Sequence, residues 1–363
     1  MSNETTSVKR LFTKESTNIA KGIAILLMLF YHLFSNVQDN AIMKVDCSPL
    51  PENLFHLFAR FGNICVAIFV FLTAYGISVK LFSSETLTLK EAYRSSPKRL
   101  GKLFFNYVIM FIVVNLIWFR YFNYALNYGE GKQGVLAFLT DALGLSHLFG
   151  TPMLNMTWWY MSIAYTLVFF VPLLAYLCKK TGYPFIGIAF LLPFILPMNN
   201  DISRYFFVMA LGVVCAFGNW FEKIMNSRFP APVRFILECA VIAFSVFARE
   251  NEFVQSNLLY LFDGIIAFVI VLFAADCIGF IPVIRKVFAF FGKHSMNIFF
   301  THTFFYLILY REFVFQFHYA GITYLILLGC SLVLSLLLEG IKFLLCLPWK
   351  SRKQKPSEPA AQS

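Results

Sequence analysis

Long apolar stretches separated by short polar segments recur along almost the whole chain. Ten of them, near 18–37, 60–82, 101–124, 157–178, 184–198, 203–221, 233–249, 257–277, 294–315 and 320–347, approach the roughly 20 residues that a helix needs to cross a bilayer. The pattern predicts an all-α polytopic membrane protein with about ten transmembrane helices. An eleventh apolar stretch, 134–145 (GVLAFLTDALGL), is too short to span and contains Asp141, which predicts a re-entrant or interfacial helix that caps a neighbour. Three regions follow: a leader over 1–17, a membrane domain over 18–347, and a polar, Pro-containing tail over 348–363 that reads as disordered.

Composition agrees with this layout and excludes a soluble globule. Of the 363 residues, 59% are hydrophobic and 13% charged, where soluble domains have roughly 45–50% and about 25%. The formal charge of +11 would suggest nucleic acid in a soluble protein, but no nucleic-acid module is present and the location of the charge matters more. Laid on alternate sides of ten spans, 22 of the 30 basic residues fall on the side that holds both termini. The bias predicts cytoplasmic termini. The first apolar run carries Lys21 and no small-residue cleavage pattern, so it reads as a retained helix and not a signal peptide. Only Cys47 of the eight cysteines falls in an extramembrane loop, so no disulfide framework is implied, and no spacing among the histidines suits a metal.

Ionisable side chains inside a span cost about 2.5–3.5 kcal/mol on insertion scales and face a cavity or a partner. Lys21 and His32 are eleven residues apart, which puts them on nearly the same helix face and about 16 Å apart along the axis. Two readings are open. Lys21 holds a phosphate-rich cofactor at the inner rim that points a reactive group toward His32 as general base, or Lys21 snorkels and His32 bonds a neighbouring helix. Arg94, Lys98, Arg99 and Lys102 cluster where the third span begins, and Arg99 and Lys102 share a face. That cluster suits polyphosphate, and equally an orienting charge or anionic lipid. In the ninth span, Ser295, Asn297 and His302 either glue helices together or line a cavity with His32. Glu339 can pair with Lys342, Asp263 has no local partner, and Trp158, Trp159 and Tyr160 read as an interfacial belt.

These residues also carry a family resemblance. NIAKGIAILLMLFYHLF resembles the opening of the family-3 integral-membrane acyltransferases, a basic residue followed after ten positions by histidine, here Lys21 and His32. GNICVAIFVFLTAYGIS is similar to the family's G-x-x-x-V-x-x-F-F-x-x-S-G-Y stretch, with Thr73 and Ala74 for Ser and Gly. Arg99 and Lys102 match the family's Arg-x-x-Arg, without the second guanidinium fork. WWYMSIAYTLVFFVPLL resembles the W-Y-L…Y-L-x-x-P-L-L helix but lacks the glutamate of many members, leaving Ser162 and Ala164 nearby. FGKHSMNIFFTHTFF resembles the closing L-G-x-x-S-L-x-I-Y-L-x-H motif through Gly292, Ser295 and His302.

The resemblance, over about residues 15–347, implies transfer of an acyl group, usually acetyl, from cytoplasmic acetyl-CoA to a hydroxyl of a cell-envelope carbohydrate in a bacterial plasma membrane. Acetyl-CoA would be the donor substrate, with no permanently bound cofactor. Partners would be an envelope glycan or lipid-linked saccharide and membrane lipids. Lys21, Arg99 and Lys102 would hold the coenzyme, His32 would act as base or acyl relay, and His302, Asn297 and Ser295 would position the chemistry. A transporter or flippase of a lipid-linked sugar, and an inactive sensory membrane domain, are the competing classes. Neither a repeat nor paired broken helices favour transport.

Overall fold

The computed structural model describes residues 11–195 and 200–353, and among these the regular structure is helical, with one isolated bridge between Asp46 and Tyr319. Every expected span coincides with a helix: α1 Lys14–Phe34, α2 Cys65–Phe82, α3 Ser96–Trp118, then a short α4 Gly131–Ala142, α5 Tyr160–Thr181, α6 Phe185–Ile195, α7 Asn200–Gly218, α8 Ala231–Ala248, α9 Leu259–Asp276, α10 Pro282–Thr303 and α11 Ala320–Lys353. Among the described residues, seven helical stretches are long and apolar enough to cross a membrane, those carrying α1, α2, α3, α5, α8, α9 and α11. Of the other three expected spans, among the described residues, α6 covers 11 positions and α7 contributes the apolar helix Ser203–Gly218, while α10 carries Arg285, Lys286 and Lys293.

Two boundaries differ from expectation. The ninth helix begins at Pro282 and not near 294, because proline at the first helical turn starts a helix whose charged first half hides it from a hydropathy reading. α11 continues to Lys353, into the segment expected to be disordered; residues 354–363 of that tail and 1–10 of the leader lie outside the described residues.

The centre of the fold is α1. Thr13 and Ser16 form a reciprocal capping box at its start, and Ile19, Ala24, Ile25, Met28 and Leu29 are buried against α2, α9 and α10. Its closest partner is α10. A Cβ added to Gly292 would lie 1.8 Å from the Asn18 carbonyl oxygen, and one added to Gly22 would lie 2.0 Å from that of Phe288. The two backbones touch, as small residues allow in helix pairs that lack a hydrophobic drive for association in lipid. Asn18 meets α10 near Gly292, and His32 meets it near His302 and Tyr306, so the two helices run in the same direction.

Two buried carboxylates inside the bundle are paired with arginines. Asp263 of α9, without a local partner in sequence, is shared by Arg204 of α7 (Nη2 at 3.0 Å) and Arg249 (Nη2 at 2.8 Å). Arg234 and Asp276 pair at 2.5 Å between α8 and α9. Trp158 is 1% exposed and its indole N–H donates to the Phe300 carbonyl at 2.9 Å. It is thus a core staple that ties the turn Met156–Trp159, just before α5, to α10, not the belt residue that its place at a helix end suggests. Among the described residues the cysteines are free.

The short α4 behaves as a cap fixed by one carboxylate. Asp141 is 1% exposed; its Oδ2 accepts from the Tyr128 hydroxyl at 2.7 Å and from the Leu154 N–H at 2.8 Å. Burial pushes its carboxyl up to about 6, although these hydrogen bonds favour the ionised form. Because the folded value lies above the unfolded one of about 3.8, this group's stabilising contribution is complete below about pH 4 and is lost as pH rises through about 6. Thermal unfolding midpoints in detergent across that window should fall with pH more steeply for wild type than for Asp141→Asn. Parallel profiles would show that Asp141 titrates as it does in the unfolded chain.

Candidate active site

A cavity of about 300 Å³ opens between α1, α2, α3, α5 and α10. Its polar rim is Lys21 of α1 with Arg99, Lys102 and Asn106 of α3. The periodicity of each helix explains this convergence: Arg99, Lys102 and Asn106 are three and four residues apart and share a face, while Lys21 projects from α1 opposite them. No carboxylate among the described residues lies within ion-pair distance of Lys21, Arg99 or Lys102. Arg99 spends only its Nε on Ser95 Oγ, at 3.1 Å, which leaves the rest of the guanidinium available. Three cations without a carboxylate partner thus meet at one mouth, a charge arrangement that attracts anions. Arg94 and Lys98 are exposed and do not line the cavity.

The walls beyond this rim are apolar. Phe69, Thr73 and Ile77 of α2 face Ala164, Leu167 and Val168 of α5, and Ser295 and Met296 come from α10. Thr73 donates its hydroxyl to the Phe69 carbonyl at 2.8 Å, and Ser295 donates to that of Gly292 at 2.9 Å. Both hydroxyls are thereby partly satisfied within their own helices. Tyr160 and Phe299 close the far end, with ring centroids 4.9 Å apart.

Behind Phe299 stands a histidine pair. The rings of His32 and His302 lie 4.9 Å apart, and Tyr306 stacks on His302 at 5.8 Å with 13° between planes. Tyr306 belongs to a π-helical turn, Phe304–Ile308, that continues α10, and its hydroxyl is 3.3 Å from His32 Nδ1. His302 is fully buried. Its Nδ1 faces two carbonyls, of Phe299 at 2.9 Å and Ile298 at 3.1 Å, so this nitrogen carries the proton that it donates. Nε2 is then the acceptor nitrogen of the neutral ring, and it has no hydrogen-bond partner among the described residues. A buried acceptor left open beside a second imidazole is costly unless it is used.

The expected site residues therefore divide. Lys21, Arg99, Lys102 and Ser295 line one cavity, and His32 and His302 are joined beyond its closed end. Asn297 lies elsewhere: two residues past Ser295, it faces α11, donating to Glu339 Oε1 at 2.9 Å and Ser335 Oγ at 3.1 Å and accepting from Lys342 Nζ at 2.8 Å. With Lys342 also on Glu339 at 2.9 Å, this is a helix-joining network, the first of the two alternatives that its sequence leaves open. His294 joins the same face through Ser335 Oγ at 2.9 Å. Sequence reasoning misses Tyr306, although its place four residues after His302 puts it on the same face, and it misses Tyr160 as a cavity wall.

A family model for the acyltransferase domain matches residues 15–340, which takes in both the cationic cavity and the histidine pair. The chain belongs to the family-3 acyltransferases. No curated protein and no solved structure gives a significant match. This family-3 acyltransferase is accordingly a multi-pass membrane enzyme for acyl transfer.

Proposed function

We propose that the enzyme takes an acetyl group from acetyl-CoA at the cytoplasmic face and places it on a hydroxyl of a cell-envelope carbohydrate, in the plasma membrane of a bacterium. The observation that carries this reading is the meeting of three unpaired cations, Lys21, Arg99 and Lys102, at one mouth of a narrow apolar cavity that ends beside His32 and His302. Phosphates of the coenzyme suit the rim, and an acylated pantetheine arm suits the walls. The polypeptide would cross the membrane ten times with both termini cytoplasmic; this scheme makes α1 and α10 the first and ninth spans, in keeping with their common direction.

The reaction needs one proton moved and two bonds exchanged. The acceptor oxygen attacks the thioester carbonyl carbon, a C–O bond forms and the C–S bond breaks. His32 takes the hydroxyl proton, which ends on the sulfur of the departing coenzyme. Tyr306 orients His32 through the Nδ1 contact, and the open Nε2 of His302 is a second basic nitrogen on the neighbouring ring.

Binding of acetyl-CoA to the purified protein in detergent tests the rim. Lys21→Ala and Arg99→Ala are each expected to weaken it by roughly 10–100-fold, the worth of one charge-assisted hydrogen bond of about 1.5–3 kcal/mol. Unchanged affinity in both variants would refute the phosphate assignment. An apparent affinity for acetyl-CoA with no release of free coenzyme on adding envelope saccharide would instead favour a sensory domain.

A further inference from the structure

A second polar cavity, of about 320 Å³, lies at the opposite end of α1. Tyr31 and Ser35 line it, the residues one before and three after His32. Along one helix, then, Lys21 stands at the first cavity, His32 about 16 Å further on, and Ser35 at the second about 21 Å on. Phe299 of the first cavity has its ring 6.4 Å from that of His302, and Tyr31 of the second has its ring 5.1 Å from that of His32. Nothing in the donor reading requires the second.

Its walls have a distinct chemistry. Arg204 and Arg249 share the single carboxylate of Asp263: Oδ2 accepts from Arg204 Nε and Nη2, and Oδ1 from Arg249 Nε at 3.0 Å, with Arg249 Nη2 at 2.8 Å. Arg204 Nη1 stays outside this pair, and its side chain is 27% exposed. Arg60 also lines the cavity, held by Glu250 at 2.7 Å. Among the described residues this makes three guanidiniums to two carboxylates around one chamber. Amides add neutral polarity. Gln255 donates to the Arg249 carbonyl, which leaves its Oε1 for a ligand, and Asn63 reaches only Tyr31 Oη, at a long 3.5 Å, which leaves its Oδ1.

We infer that this outer chamber seats the acyl acceptor, and that the acceptor is a sugar bearing an anionic group, a carboxylate or a phosphate. The inference rests on the acyltransferase reading above and adds the class of its second substrate. Amide oxygens and the Tyr31 and Ser35 hydroxyls suit a ring of hydroxyls, and the edge of Arg204 suits a planar or tetrahedral anion. Placement next to His32 is what separates this from a purely structural ion network, since a staple for α7, α8 and α9 has no need to line a chamber. The acceptor hydroxyl would meet His32 from this side and the thioester from the other, so the ester forms where the two chambers adjoin.

The test is thermal stabilisation of the purified protein in detergent, with D-glucuronate, D-glucose 1-phosphate and D-glucose as probes and acetyl-CoA in parallel. At about ten times its dissociation constant a charged sugar is expected to raise the midpoint by roughly 2–4 °C. The two anionic sugars tell carboxylate from phosphate. Asn63→Asp, which adds a negative charge to the wall without touching the Asp263 pairs, should abolish the sugar shift, and Arg204→Gln should do the same. Lys21→Ala should abolish the acetyl-CoA shift and keep that of the sugar, which rules out an anion bound at the inner rim. Equal shifts from glucose and the charged sugars, no sugar shift at all, or a sugar shift lost in Lys21→Ala and kept in Asn63→Asp would overturn the inference. Absence of any acetyl-CoA shift would overturn the donor reading instead.

Discussion

Replacing His32 with alanine is expected to lower acetyl transfer by about 10²–10⁴-fold, the range that a positioned general base contributes, while acetyl-CoA affinity stays within about twofold, as befits a group outside the phosphate rim. The separation follows from the geometry. His32 is about 16 Å along α1 from Lys21 and does not line the donor cavity, so it has no hold on the coenzyme phosphates. It is, however, the half-buried member of a pair whose other ring is fully enclosed, 4.9 Å away. Tyr306→Phe should cost less, about tenfold, because it removes one hydroxyl at 3.3 Å that orients the ring and leaves both imidazoles in place. Single-turnover transfer of labelled acetyl to an envelope saccharide, measured alongside coenzyme binding, reads both effects. If His32→Ala turns over at the wild-type rate, the base is not His32 and the histidine pair is structural.

The parts of this arrangement visible in the sequence are those that depend on one helix at a time. Lys21 and His32 declare themselves because a spacing of eleven is three turns of a single element, and Arg99 and Lys102 because three residues share a face. Helix positions are legible for the same reason, through runs of apolar residues. The α10 start escapes because Arg285, Lys286 and Lys293 interrupt the run although the helix continues through them. Tertiary pairing leaves no such mark: Asp263 meets Arg204 across 59 residues, and nothing local announces it. Asn297 shows the other limit. A buried amide must find partners, but whether they lie in a cavity or on a neighbouring helix depends on rotation. Two residues turn the face by about 200°, which takes Asn297 from the cavity that Ser295 lines to the α11 side. Trp158 likewise resembles a membrane-surface residue until the Phe300 carbonyl that satisfies its N–H is known.

Gly292→Ala is expected to reduce transfer about 100-fold and to destabilise the protein by about 1–3 kcal/mol, the cost of forcing an added methyl into packed surroundings. The added Cβ would sit 1.8 Å from the Asn18 carbonyl oxygen, against an ordinary contact of about 3.5 Å or more. Backbone occupies that position, so no side chain can rotate away; α1 and α10 must separate. These are the helices that carry His32 and His302, and a displacement of about 1 Å is enough to cost 10²-fold where reacting groups must be aligned. Gly22→Ala should act in the same way from the other helix, since its Cβ would fall 2.0 Å from the Phe288 carbonyl oxygen. Gly329→Ala on α11 is the control: nothing lies within 4 Å of the new methyl, and alanine is the better helix former. Thermal midpoints in detergent and single-turnover transfer should therefore fall together for Gly292→Ala and Gly22→Ala and hold for Gly329→Ala. Full activity in both contact variants would mean that the spacing of α1 and α10 does not set the apposition of the histidines, and that the ring pair is held by the Tyr306 turn alone.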